Sequence, residues 1–275
     1  MMLAIARSSF PFHTRPNADG GYANLRISRA DNSTHVATIA EVVDLGNDGR
    51  VNSAEESIFK FVMVPDSADA RLFVELSSYG ADLAEARDAL DLVIKYRGEG
   101  SQLGDAGAYL IAFAVIAYCR TYFHSNVRKP LTDHIVVPVE FIEIHRLVGA
   151  FRNTTIAHSQ SKLATTFPVG ILDAATLRVR DVTATTVSQT LPSPLVERFR
   201  ELVEIVDDLL FEITEQVRQT LVVQLSGSDL ARMVDEGSQL EIVDATDADF
   251  APRTKRRRYP TSHTVYSSGT SLTGD

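Results

Sequence analysis

The chain has 275 residues, 44% hydrophobic and 23% charged, enough apolar material to bury a core in one large domain or a domain with appendages. Its one cysteine, Cys119, excludes an internal disulfide framework and any cysteine-cluster zinc or iron–sulfur site, and suits a reducing, cytoplasmic setting. The longest apolar stretch, 106–119, falls short of the roughly 20 residues a membrane span needs, and the opening MMLAIAR is too short an apolar run for a signal peptide, so no membrane association is expected.

The net charge of −9 argues against a general nucleic-acid coat, but it is unevenly spread. Residues 66–117 carry −5 and 163–250 carry −10, whereas 118–162 carry +3 and 251–275 carry +4. The basic stretches are therefore the C-terminal tail and one segment of the body.

Along the chain, 1–65 is expected to be a small β-rich or partly disordered appendage, with strand-like composition at 22–28, 35–43 and 57–64. A first helix is predicted over 66–98, capped by Asp66 or Ser67 and stopped by Gly98 and Gly100. Leu72, Leu76, Tyr79, Leu83, Ala86, Leu90 and Val93 give it an apolar stripe at spacings of four and three. A second helix, about 104–124, is apolar nearly all round and should be the most buried element. Pro130 and Pro138 bracket the connection to a third, about 139–160, with Phe141, Ile144, Val148 and Phe151 on one stripe.

Thr165–Ile171 and Thr176–Val187 read as a β-hairpin turning near Asp173 and Ala174, with Pro168 confining the first strand to an edge. A fourth helix starts at Pro194 and runs to about Leu225, with a stripe of Leu195, Phe199, Leu202, Val206, Leu209 and Ile213. Residues 226–275, acidic and then basic around RTKRRRYPTSHT, are expected to be mostly disordered. The fold predicted is mainly α: an antiparallel four-helix bundle over 66–225 with an inserted hairpin.

The basic body segment contains HRLVGAFRNTTIAHSQSKL, residues 145–163. Within it, Arg152-Asn153-Thr-Thr-Ile-Ala157-His158 resembles the RNxxxAH signature of HEPN domains. Tyr118-Cys-Arg120-Thr-Tyr122-Phe123, followed by Arg128 and Leu131, looks like the second-helix pattern of the abortive-infection, AbiU2-like branch. The resemblance covers about 66–225. It implies a HEPN-like bundle that dimerises and, in active members, a metal-independent endoribonuclease acting in growth arrest or phage defence. Arg152 and His158 would be the catalytic pair, without cofactor or metal, and a cognate antitoxin or defence partner would accompany them.

The residue types suit that chemistry. Histidine accepts a proton from a ribose 2′-hydroxyl near neutral pH, and arginine's planar fork stabilises charge building on the phosphate. Asn153 and His145 are supporting candidates, and Arg120, Arg128 and Lys129 are candidate RNA contacts in the basic segment. Six residues on an ideal helix subtend roughly 240°, so Arg152 and His158 share a face only if the helix ends near His158 or a second copy completes the cleft. Seven residues apart, His145 and Arg152 do align. The bland alternatives are a core histidine at His158, packing at His145, and an ordinary ion pair between Arg120 or Arg128 and the fourth helix's carboxylates. A non-catalytic bundle for dimerisation or protein interaction is the alternative function, favoured by the −13 carried over residues 1–250.

Two further patterns have weaker claims. Residues 44–55 nearly fit a calcium loop but have Gly46 at the third ligand position, so a turn joining two strands competes. Glu197, Glu201, Glu204, Asp207, Asp208, Glu212 and Glu215 are spaced as in di-metal bundles but lack the accompanying histidines, which favours a solvated acidic face.

Overall fold

The computed structural model describes residues 24–25, 42–43, 62–97, 103–104, 106–124, 128–157, 162–236, 241–250 and 257–265. In chain order the elements are β1 (Asn24–Leu25), β2 (Val42–Val43), α1 (Ala68–Lys95), α2 (Ala106–Tyr122), α3 (Ile142–Phe151), β3 (Ala164–Leu172), β4 (Val179–Ser188), α4 (Ser193–Ser226), α5 (Leu230–Glu236), β5 (Glu241–Asp244) and β6 (Ser262–Val265). The chain is mainly helical with a small antiparallel hairpin. No described helix is long and apolar enough to cross a membrane.

The residues divide into two compact units, one of 79–125 with 129–211, the other of 1–78, 126–128 and 212–275. In the first, the predicted stripe of α1 goes inside: Tyr79, Leu83, Ala86 and Leu90 are fully buried. With them are Val115 and Tyr118 of α2, Val148 of α3, and Phe199, Leu202 and Val206 of α4, the Tyr118 and Phe199 rings meeting edge to face at 5.3 Å. On α4 the buried set also takes in Val196, Val203 and Leu210, one position on from the expected Leu195, Leu202 and Leu209.

Helix α2 is less enclosed than its composition suggests. Ile111, Ala114, Val115 and Tyr118 are buried, but Tyr109 is 75% exposed, Phe113 43% and Ile116 39%. A helix apolar all round needs neighbours all round, and among the described residues this stripe has none that covers it.

The third helical stretch opens with a 3-10 turn at Val139–Phe141, continues as α3, and closes with a π turn at Arg152–Ile156. The Ala157 N–H donates to the Arg152 carbonyl at 2.9 Å, five residues back, and Thr154 Oγ1 donates to the Ala150 carbonyl at 2.8 Å. The β-branched run Thr154-Thr155-Ile156 and that side-chain bond both disfavour a continuing α-helix. Helical backbone thus ends at Ile156.

The hairpin forms as expected with a larger turn. Asp173 organises it: its Oδ1 accepts the N–H groups of Ala175 and Thr176, and its Oδ2 pairs with Arg180. These contacts, the Thr176 N–H foremost, hold the Asp173 carboxyl below the usual carboxylate range. Leu177 takes a left-handed φ of 54° in the turn, so β4 starts at Val179 rather than Thr176.

In the other unit Ser67 Oγ accepts the Ala70 N–H at 3.1 Å and caps α1, while Asp66 pairs with Arg71. The Asn24–Leu25 and Val42–Val43 strands pair antiparallel, within two of the three segments read as strand-like. Val62, Met63 and Val64 of the third are not in a strand. The tail, expected to be mostly disordered, holds α5 and a parallel β5–β6 pair among its described residues, with the Ala245 N–H on the Val265 carbonyl at 2.8 Å. The Tyr259 hydroxyl donates to the Val64 carbonyl. The 44–55 loop lies outside the described residues.

Candidate functional site

Two stripes meet where the end of α2 packs on α3. Residues 118, 119, 122 and 123 recur at spacings of four on one side, and 145, 149 and 152 at spacings of four and three on the other, as helical neighbours must. The Tyr118 hydroxyl is hydrogen-bonded to His145 Nδ1 at 2.9 Å, and the Tyr122 ring lies edge-on to His145 with centroids 4.7 Å apart. One turn further, Gly149 leaves room for Phe123, whose Cζ lies 3.9 Å from where a β-carbon would stand. The next turn places Arg152 over the Phe123 ring, Cζ 5.1 Å from its centroid. Arg152 Nη1 donates to Asn153 Oδ1 at 3.0 Å.

Burial sets the electrostatics. It pushes the Tyr118 and Tyr122 hydroxyls far above the ordinary phenol range and the Cys119 thiol up to about 12, against a smaller opposing pull from Arg152 on the thiol. It lowers the His145 pKa, because a half-buried imidazole resists taking a charge. All of these groups are therefore neutral at physiological pH. With Tyr118 as donor, the neutral His145 ring carries its proton on Nε2. The arrangement offers a guanidinium with its fork partly engaged by an amide, an aromatic shelf, and a neutral histidine two turns away. It can hold an anion at Arg152, with the His145 imidazole roughly 10 Å back along the same side of the helix.

Arg152 and Asn153 are thus brought together, His145 packs two turns back against Tyr118 and Tyr122, and His158 lies outside the described residues. Arg120 points to a different partner than the one anticipated: it bridges Asp82 at 2.8 Å and Glu85, both on α1, not carboxylates of α4. Arg128, in the other unit, donates from Nη1 to Ser78 Oγ at 2.7 Å. Lys129 has an exposed side chain and contributes its carbonyl, which accepts the Tyr79 hydroxyl at 2.7 Å. Tyr118, Tyr122 and Phe123 are members of this cluster that sequence reasoning misses as site residues; their spacing along the end of α2, on the side that meets 145, 149 and 152, is the available signal.

Leu147, Ala150 and Phe151 of α3, with Thr154 of the π turn, line an open and largely apolar groove of about 740 Å³ together with Leu163 and residues 189–193. The acidic side chains of α4 are largely tied up: Glu197 by Arg97, Asp207 by Arg87, Glu204 by Arg200 and Glu215 by Arg218. Among the described residues no group of three or more His, Cys, Asp or Glu is placed to hold a metal.

Comparison with family models, with curated proteins and with solved structures finds no match to this chain.

Proposed function

We propose that this chain is a HEPN-like, RNA-directed protein, a metal-independent endoribonuclease of growth arrest or phage defence, built on an antiparallel four-helix bundle. The observation that carries the reading is the seating of Arg152 on Phe123, beside Asn153 and two turns from His145, at a π turn that ends the helix within two residues of His158. π turns recur at functional sites, where they reorient side chains that a regular helix would disperse.

In this reading His158 takes the proton from a ribose 2′-hydroxyl, the oxygen attacks the adjacent phosphorus, and the 5′-oxygen leaves with a proton returned to it. Arg152 stabilises the charge on the phosphoryl oxygens, and His145 assists as a neutral hydrogen-bond donor. DNA lacks the attacking hydroxyl, so RNA is selected. A homodimer completes the cleft, its association driven by apolar side chains such as Tyr109, Phe113 and Ile116. A cytoplasmic location and an antitoxin or defence partner belong to the same proposal.

Incubation with total RNA in excess EDTA tests it. Metal-independent cleavage is expected, lost in Arg152→Ala and His158→Ala variants whose helical content is unchanged. Absence of cleavage at high protein concentration supports the second reading, a non-catalytic bundle for dimerisation or protein interaction, which the same exposed α2 stripe and the acidic body favour.

A further inference from the structure

Apart from Ala164 and Thr165, every residue of β3 and β4 is exposed. A lone two-stranded hairpin is marginal in water, and this one also leaves Phe167, Val169, Ile171 and Val187 uncovered on one face. The two outer edges are not alike. The Gln189 N–H donates to the Leu163 carbonyl at 2.8 Å, and antiparallel alternation then makes 165/187, 167/185 and 169/183 the hydrogen-bonded pairs. Pro168, opposite Ala184, falls between them, where backbone groups point away from the partner strand. Its missing N–H costs the hairpin nothing and removes a donor from the middle of the outer edge of β3.

The outer edge of β4 stays open. By the same alternation Ala184, Thr186 and Ser188 direct their N–H and C=O groups outward, and no described residue bonds them. Nearer the turn, Asp181 Oδ1 occupies the Val182 N–H at 2.7 Å and ends the open stretch. Residues 182–188 carry no charge.

We propose that β4 is an assembly edge occupied by β4 of a second copy of this chain, paired antiparallel about Thr186 to form a four-stranded sheet. Three features select an identical strand. In a twofold pairing about Thr186, Ala184 faces Ser188 of the second copy and Thr186 faces its equivalent, so all three open donors meet open acceptors. Arg180 and Asp181 fall beyond the paired stretch, so no like charges oppose each other. With one edge closed by Pro168 and one open, pairing stops at two copies instead of propagating as a fibre. The inference does not rest on the RNA reading, and its test leaves Arg152 and His158 untouched.

Hydrogen-bonded antiparallel pairs hold α-carbons about 5.5 Å apart, within disulfide range. Under mild oxidation the Thr186→Cys variant is therefore expected to cross-link between chains, whereas Thr183→Cys, away from the twofold, is not. Native Cys119 is buried and does not compete. In sedimentation at micromolar concentration, Thr186→Pro, which copies on β4 what Pro168 does on β3, should halve the assembled mass with the circular-dichroism spectrum unchanged. A monomeric wild type, or an assembly that neither cross-links through the Thr186→Cys variant nor responds to Thr186→Pro, overturns the proposal. Pairing of β4 with a strand from a different protein would appear as the former.

Discussion

Helix α2 and the β3–β4 hairpin are both rich in apolar residues, yet Val115, Ala117 and Tyr118 are at most 1% exposed while Val169, Ile171 and Val182 stand at 41, 45 and 65%. The difference lies in how each element satisfies its backbone. A helix completes its hydrogen bonds within one segment, so α2 is free to press a face against other helices, and does so with Tyr118 against Phe199 and His145. A two-strand ladder satisfies one edge of each strand and neither face, and needs a second layer or further strands to bury what it carries. Core energy in this unit is therefore concentrated in the helices. The hairpin contributes little to monomer stability and keeps its apolar surface available.

That contrast can be broken at its strong end first. Leu83→Ala removes a fully buried side chain and should cost about 2–5 kcal/mol in chemical unfolding; a loss under about 1 kcal/mol would mean the helical core is loosely packed. Tyr118→Phe strands His145 Nδ1 in a half-buried site and should cost about 1–3 kcal/mol by the same measurement.

The His145 environment adds a pH signature. Its folded pKa lies below the unfolded value of about 6.5, so the unfolded chain binds the proton more readily. The associated stability is complete above about pH 6.5 and is lost as the pH falls. The melting temperature should accordingly drop between about pH 7.5 and 5.5, and His145→Gln should flatten that part of the profile. An unchanged slope would remove His145 from the buried cluster.

Gly149→Ala is expected to stabilise the helical unit. The new β-carbon meets Phe123 Cζ at 3.9 Å, an ordinary contact, so the helix-propensity gain of about 0.5–1 kcal/mol should appear as a higher melting temperature. Smallest of all, Val169→Ala on the hairpin should shift stability by no more than about 0.5 kcal/mol. A loss comparable to that of Leu83→Ala would show that the hairpin's face is covered after all.

Periodicity and capping chemistry suffice to locate most helices, because both are local properties. The three- and four-residue spacing of Leu76, Tyr79, Leu83, Ala86 and Leu90 can bury only one helical face, and Ser67 is placed to accept the first orphan N–H. Alternating Thr and Val mark the hairpin, and Pro168 marks its edge. Seven-residue spacing likewise puts His145 and Arg152 on one side of α3. The rest depends on partners far away in the chain. Nothing local tells Arg120 to choose Asp82 and Glu85 over α4, Arg152 to settle on Phe123, or Asp207 to pair with Arg87. Nor does apolar composition reveal that Tyr109, Phe113 and Ile116 remain uncovered, since burial is decided by what packs opposite. Which residues can share a face follows from local spacing, whereas what each face meets follows from the folded arrangement, because packing and ion pairing are properties of the neighbours and not of the segment.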